Sequence, residues 1–231
     1  AILVVDSDPQ CNTTTGLGFE RSSLKGTVYD LYIRAVSGNF NEQELDRYIL
    51  PTGIDNLYLL PASVDLLAVE VELVDVKERE FMLKRILEPL RQRYEYIIID
   101  CPPSLGLLTL NALVAADSVI VPVQCEYYAL EGLGLLSNTI NLVQRSFNPK
   151  LKIEGVLLTM YDQRTVLSRQ VADEVKEVFG SVVYETVIPR NVTLSEAPSH
   201  GKPAILYDAR SKGAQSYLQL AKELIHEDSL R

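Results

Sequence analysis

Two short apolar runs in this sequence each stop at a carboxylate and a proline turn. The first is Ile2-Leu3-Val4-Val5-Asp6-Ser7-Asp8-Pro9-Gln10 and the second is Tyr96-Ile97-Ile98-Ile99-Asp100-Cys101-Pro102-Pro103-Ser104. In an open parallel sheet, ligands sit outside the carboxyl ends of the strands. Carboxylates placed there can hold Mg2+, a hard cation that takes oxygen ligands and keeps waters beside phosphates. The pattern reads as part of a nucleotide-hydrolysing site. Asp8 and Asp100 are the candidate acids, and Asp6 is read as structural. The bland alternatives are an Asp-Pro turn for Asp8 and a capping or turn aspartate for Asp100.

The surrounding pattern must place those acids at one edge. Strand-like segments at 57–60, 96–100, 118–123, 153–160 and 182–187 alternate with helix-like segments at 64–74, 77–93, 107–116, 128–147, 166–179 and 211–226. Shorter helices are expected at 12–15, 27–34 and 41–48, with a bend or stop at Pro89. Residues 191–198 read as a turn-rich connection and 226–231 as a polar, frayed tail. Strands separated by helices predict an α/β fold, a mostly parallel central sheet with helices on both faces. No repeat, low-complexity tract or linker divides the chain, so residues 1–231 are expected to form a single domain.

A chain of 231 residues can bury a sizeable core. No apolar run is long enough to cross a bilayer. The net charge of −9 argues against a uniformly basic nucleic-acid binder, but the balance is uneven. Residues 1–144 carry 10 Lys+Arg against 20 Asp+Glu, and the remainder carries 12 against 11, so a basic face in the later part is compatible with the acidic total. Cys11, Cys101 and Cys125 form neither a zinc pattern nor a disulfide framework, which points to a reducing cytosol and incidental thiols.

Four collinear blocks carry a resemblance. Val4-Val5-Asp6-Ser7-Asp8-Pro9-Gln10 with Asn12 and Gly16-Leu17-Gly18 resembles a conserved block of ParA/Soj-type partition ATPases, of the MinD-like deviant Walker P-loop NTPase class. Ile98 to Gly106 resembles their Walker B and switch region. Pro122-Val123-Gln124-Cys125-Glu126-Tyr127-Tyr128-Ala129-Leu130-Glu131-Gly132-Leu133 is similar to a third block, and Ile188-Pro189-Arg190-Asn191 with 194–203 to a fourth. The resemblance implies ATP and Mg2+ as ligands. It places Asp8 near the attacking water and the metal, Asp100 on Mg2+ through a water, and Pro102 and Gly106 in a segment that senses the terminal phosphate. It lays Pro189, Arg190 and Asn191 against the adenine and puts Tyr127-Tyr128 near a dimer face. It implies an ATP-bound homodimer that binds DNA without sequence preference, with Arg164 as a contact, and a ParB-like activator protein. Thr193 stands where many relatives carry a further arginine, which removes one expected phosphate contact. The implied location is the cytoplasm, on the nucleoid, with no membrane association.

The KGGxGKT-type loop of that family, which cradles phosphates with backbone N–H groups, does not occur in these residues. The sequence is therefore expected to be an N-terminal truncation, lacking one strand and the phosphate loop. The chain as it stands is expected to bind ATP weakly and to leave two sheet edges unsatisfied. Two other readings remain open. One is a MinD-like positioning ATPase at a membrane, which the acidic Glu223-Leu224-Ile225-His226-Glu227-Asp228 disfavours because such anchoring uses a basic amphipathic helix. The other is a non-hydrolysing scaffold. An iron–sulfur reductase is rejected because Cys101 and Cys125 lack paired cysteines.

Overall fold

The structure is a computed structural model that describes residues 1–229, with side chains to residue 226. These residues divide into two compact units, the first comprising 1–117 with 142–151, the second 118–141 with 152 onward.

The first unit contains β1 (Ile2–Asp6), α1 (Asn12–Gly16), α2 (Val28–Val36), β2 (Leu50–Pro51), β3 (Leu57–Leu60), α3 (Leu66–Glu72), α4 (Met82–Leu87), β4 (Tyr96–Asp100) and α5 (Leu107–Ala115). Its sheet runs β2-β3-β1-β4, with β1 parallel to both neighbours and β2 antiparallel to β3. The β1–β4 register pairs Ile2 with Tyr96 and ends with Asp6 opposite Asp100. Leu3, Val5 and Leu60 from the strands join Leu31 and Tyr32 of α2 and Leu83 and Ile86 of α4 in one buried core. Each such aliphatic side chain contributes roughly 1.5–3 kcal/mol by leaving water. Among the described residues β4 pairs only with β1, and Ile98 on it is 52% exposed.

Local chemistry explains where helices start and stop. Thr27 and Asp30 form a reciprocal capping box that starts α2. The helix expected over 77–93 is instead broken into a 3-10 turn at Arg79–Phe81, α4, and a second 3-10 turn at Glu88–Leu90. The physical reason is Asn111, fully buried on α5. Its Oδ1 accepts from Leu83 N (3.1 Å) while its Nδ2 donates to Arg79 O (2.9 Å), so a side-chain amide occupies the place of one helical hydrogen bond. Pro89 ends the apolar stretch, as the missing N–H requires. The helix expected over 64–74 is confined to α3, and 41–48 is a 3-10 segment at Glu42–Arg47 capped by the Asn41 side chain.

The second unit contains β5 (Ser118–Gln124), most of α6 (Ala129–Ser146), β6 (Lys152–Thr159), α7 (Val166–Phe179), α8 (Val192–Glu196), α9 (Ala204–Tyr207) and α10 (Lys212–Ser229). β5 and β6 are parallel, with one irregularity between Val119 and Ile120. The expected strand at 182–187 does not form. Gly180–Val182 is a 3-10 turn, and the chain then meets β6 through a Val156–Val183 bridge and isolated N–H donations from Tyr184 to Val156 O (3.0 Å) and from Ile188 to Leu158 O (2.9 Å). The cause is Glu223 on α10, whose carboxylate takes the N–H groups of Glu185 (2.7 Å) and Thr186 (3.0 Å) away from sheet pairing. The connection expected at 191–198 contains α8 and the start of a 3-10 turn, Ala197–His200. The final two residues of the expected frayed tail lie outside the described residues. No described helix is long and apolar enough to cross a membrane. The expected α/β fold, parallel strands with helices around them, is what both units display.

Candidate functional site

The first unit gathers the acids predicted from sequence at the carboxyl end of its parallel strands. β1 ends at Asp6, and the chain turns through Ser7, Asp8 and Pro9. Cys11 closes that turn in the left-handed region (φ 56°), wholly buried, its thiol donating to Pro9 O at 3.3 Å. The turn feeds α1 back across the strand ends and delivers two threonines.

Thr14 serves Asp6. Its hydroxyl and its N–H both donate to Asp6 Oδ2, at 2.6 and 2.8 Å, while Asp8 N donates to Oδ1 at 3.2 Å. Thr14 Oγ1 also accepts from Ala62 N at 3.1 Å, which ties the loop after β3 to the same point. Asp6 is fully buried, and that burial pushes its carboxyl above the usual aspartate value. The Thr14 and Asp8 donors oppose the rise, and the charge of Asp100 adds to it. Three donors thus satisfy this buried acid from within the fold.

Asp8 and Asp100 are arranged differently. Asp8 is 8% exposed, and its Oδ1 accepts from Gln10 N at 2.9 Å. Asp100 Oδ2 accepts from Thr13 Oγ1 at 2.6 Å, and its backbone carbonyl accepts from Ser7 N at 2.9 Å. Each acid keeps one carboxylate oxygen without a partner among the described residues, and neither oxygen is sealed from solvent. The Cys101 thiol lies within the field of both. Burial pushes it up to about 12, with the Asp100 and Asp8 charges adding, so it is no nucleophile at neutral pH.

This donor set fits Mg2+. It is oxygen-only and offers two carboxylates with spare oxygens. An ion that keeps its waters and shares substrate phosphate oxygens needs no fuller protein cage.

The segment after Asp100 is fixed by α5. Thr109 Oγ1 donates to Ser104 O (2.6 Å) and Pro102 O (3.3 Å). Gly106 caps the helix, and Leu107 N donates to Glu70 Oε1 at 3.0 Å. A Cβ on Gly106 would lie 2.1 Å from that oxygen, so only glycine admits the carboxylate at its present place. The contact the structure gives Gly106 is therefore with Glu70. Thr13, Thr14 and Glu70 were not singled out by sequence reasoning, which read the threonine run as a helix start. A hydroxyl one turn after a strand-end acid was the available signal.

In the second unit, Tyr161 N donates to Ile188 O (3.1 Å) and Arg190 N donates to Tyr161 O (3.0 Å), so the predicted 189–191 loop sits beside 161–165. Asn191 precedes α8, but its side chain makes no cap, and its Oδ1 is buried without a hydrogen-bond partner. That orphaned acceptor disfavours the simple capping role. Arg190 is ion-paired to Glu126. Arg164 is exposed, but its guanidinium donates through Nε (2.9 Å) and a terminal nitrogen (2.8 Å) to the two oxygens of Asp162. Those donors hold the Asp162 carboxyl at about 2. Tyr127 and Tyr128 are both exposed and meet edge to face at 5.1 Å.

A parallel α/β fold with acids at its strand ends defines a class, and a family model described as an AAA domain matches residues 1–153. The chain is 57% identical over 223 residues to the sporulation initiation inhibitor protein Soj of Bacillus subtilis (strain 168), covering 96% of this chain and 85% of that protein. It is 52% identical over 227 residues to the chromosome partitioning protein ParA of Myxococcus xanthus (strain DK1622), covering 98% and 78%. Among solved structures, cobyrinic acid a,c-diamide synthase from Mycobacterium smegmatis with bound ADP and magnesium superposes with a TM-score of 0.82 at 38% identity, covering 100% of this chain and 84% of that one. The chain belongs to the Soj/ParA family of chromosome-partitioning proteins.

Proposed function

We propose that this chain is a partitioning ATPase that uses Mg2+ at the carboxyl ends of β1 and β4. One observation carries the reading: Asp8 and Asp100 stand at the same end of one parallel sheet, each with a solvent-reaching oxygen unclaimed among the described residues. Its family membership and the ADP and magnesium of the mycobacterial relative support the ligand assignment. When bound, Mg2+ neutralises phosphate charge. Asp100 holds the hydrated ion, and Asp8 orients the attacking water, since phosphoryl transfer depends on positioning and electrostatics. Pro102 and Gly106 belong to the segment that responds to the terminal phosphate.

In the second unit, the buried unpartnered Oδ1 of Asn191 supports assigning Pro189, Arg190 and Asn191 to adenine recognition, because an amide oxygen accepts from an amino group on a base edge. We assign Arg164 to non-specific DNA contact, in which a phosphate competes with Asp162 for its guanidinium. An ATP-bound homodimer on the nucleoid, in the cytoplasm, stimulated by a ParB-like partner, completes the reading.

The test uses the purified protein. Asp8→Ala is expected to lower steady-state ATP hydrolysis by about 100-fold or more while ATP binding persists. Normal turnover by this variant removes Asp8 from the mechanism.

A further inference from the structure

Hydrogen bonding divides the two acids that face each other across the β1–β4 ladder. Asp6 receives three donors and is fully buried away from any ligand, whereas Asp100 receives one, from Thr13. We propose that Thr13 is a positioning residue for Asp100: its hydroxyl fixes one carboxylate oxygen and leaves the other aimed at the hydrated magnesium ion of a magnesium–nucleotide. This inference rests on the reading of the chain as a magnesium-dependent ATPase.

Three observations support it. The O–H···O contact is 2.6 Å, the short distance of a charge-assisted bond, roughly twice as strong as a neutral one. Asp100 closes a strand paired on one side only, and the terminal torsion of an aspartate is otherwise broad, so orientation must come from a side-chain partner. Thr13 itself arrives on a fixed turn. The residue after it is tied to both Asp6 and Ala62, and the turn before it is closed by buried Cys11 in the left-handed region. Thr13 is thus held on both flanks before it reaches Asp100. Partners that orient a metal-holding carboxylate typically matter by about 10–100-fold in metal affinity or activity.

The experiment compares wild type, Thr13→Val and Thr13→Ser as purified proteins. Binding of a fluorescent non-hydrolysable ATP analogue is titrated with Mg2+, alongside far-UV circular dichroism and a thermal melt. Thr13→Val, of the same shape without the hydroxyl, is expected to need about 10–100-fold more Mg2+ for half-maximal binding, and Thr13→Ser to restore the wild-type dependence. Thr13→Ala carries the same expectation should valine fail to pack. In an Asp100→Asn background, Thr13→Val is expected to shift the Mg2+ dependence no further, which a merely structural tie does not predict. A folded Thr13→Val or Thr13→Ala variant with wild-type Mg2+ dependence overturns the positioning role alone. A wild-type protein whose analogue binding ignores Mg2+ overturns the ATPase reading and this proposal with it.

Discussion

Asp6 in the first unit and Asp162 in the second are held in opposite ways, although exposed ion pairs occur in both units. In the first, Asp6 is fully buried with no cation beside it, and backbone N–H groups and a threonine hydroxyl supply its donors. In the second, half-buried Asp162 and exposed Glu126 are paired to Arg164 and Arg190. Burying an ionised carboxylate is costly unless donors surround it, so the first arrangement is intolerant of change. An exposed ion pair is screened by water and contributes little to stability, so the second is free to serve a ligand. The same residue type is therefore satisfied by buried donors in one place and by a solvent-screened cation in the other.

The largest expected effect comes from removing the buried acid. Asp6→Ala strands Thr14 N, Thr14 Oγ1 and Asp8 N in a dry interior, and unsatisfied buried groups cost about 1–3 kcal/mol each. A urea titration is expected to show a loss of about 3 kcal/mol or more. A change below 1 kcal/mol would erase the contrast between the two acids.

An intermediate effect is expected at Gly106. Adding a Cβ displaces the Glu70 carboxylate from the start of α5, and loss of a helix cap costs about 1 kcal/mol. Because the obstacle is the end of a flexible side chain, Gly106→Ala is expected to cost much less in a Glu70→Ala background. Equal costs in the two backgrounds, measured by urea titration, locate the glycine requirement in the backbone instead.

The smallest stability effect is expected for Arg164→Ala. The urea midpoint near neutral pH should move by less than about 0.5 kcal/mol, while retention of the ATP-bound protein on DNA falls and becomes less sensitive to salt. The pH response sharpens the comparison. Asp162 is depressed from 3.8 to about 2, chiefly by the Arg164 hydrogen bond, so its contribution is present above 3.8 and fades as pH falls toward about 2. Asp6 is raised by burial, so its folded form binds a proton more tightly and it opposes acid unfolding. In Arg164→Ala, the Asp162 carboxyl followed by NMR is expected to titrate closer to 3.8. An unmoved midpoint breaks the pairing.

Most strands and helices were legible because their cues are local. α7 was expected at 166–179 and is found there, started by Thr165, whose hydroxyl accepts from Ser168 N, and stopped by Gly180. β4 was equally plain as an apolar, β-branched run. The misses were non-local. Nothing within 182–187 reveals that Glu223 takes two of its N–H groups, and nothing within 77–93 reveals Asn111 inserted at Arg79 and Leu83. Both interruptions come from side chains more than 25 residues away, beyond any window of periodicity.

The sequence by itself determined that acids end two parallel-type strands and which family the chain joins, because strand ends, prolines and collinear blocks are properties of adjacent residues. Only the tertiary structure decided how differently those acids are surrounded. Asp6, Asp8 and Asp100 are chemically alike, and what separates them is how many donors the fold brings to each: three for Asp6 and one each for Asp8 and Asp100.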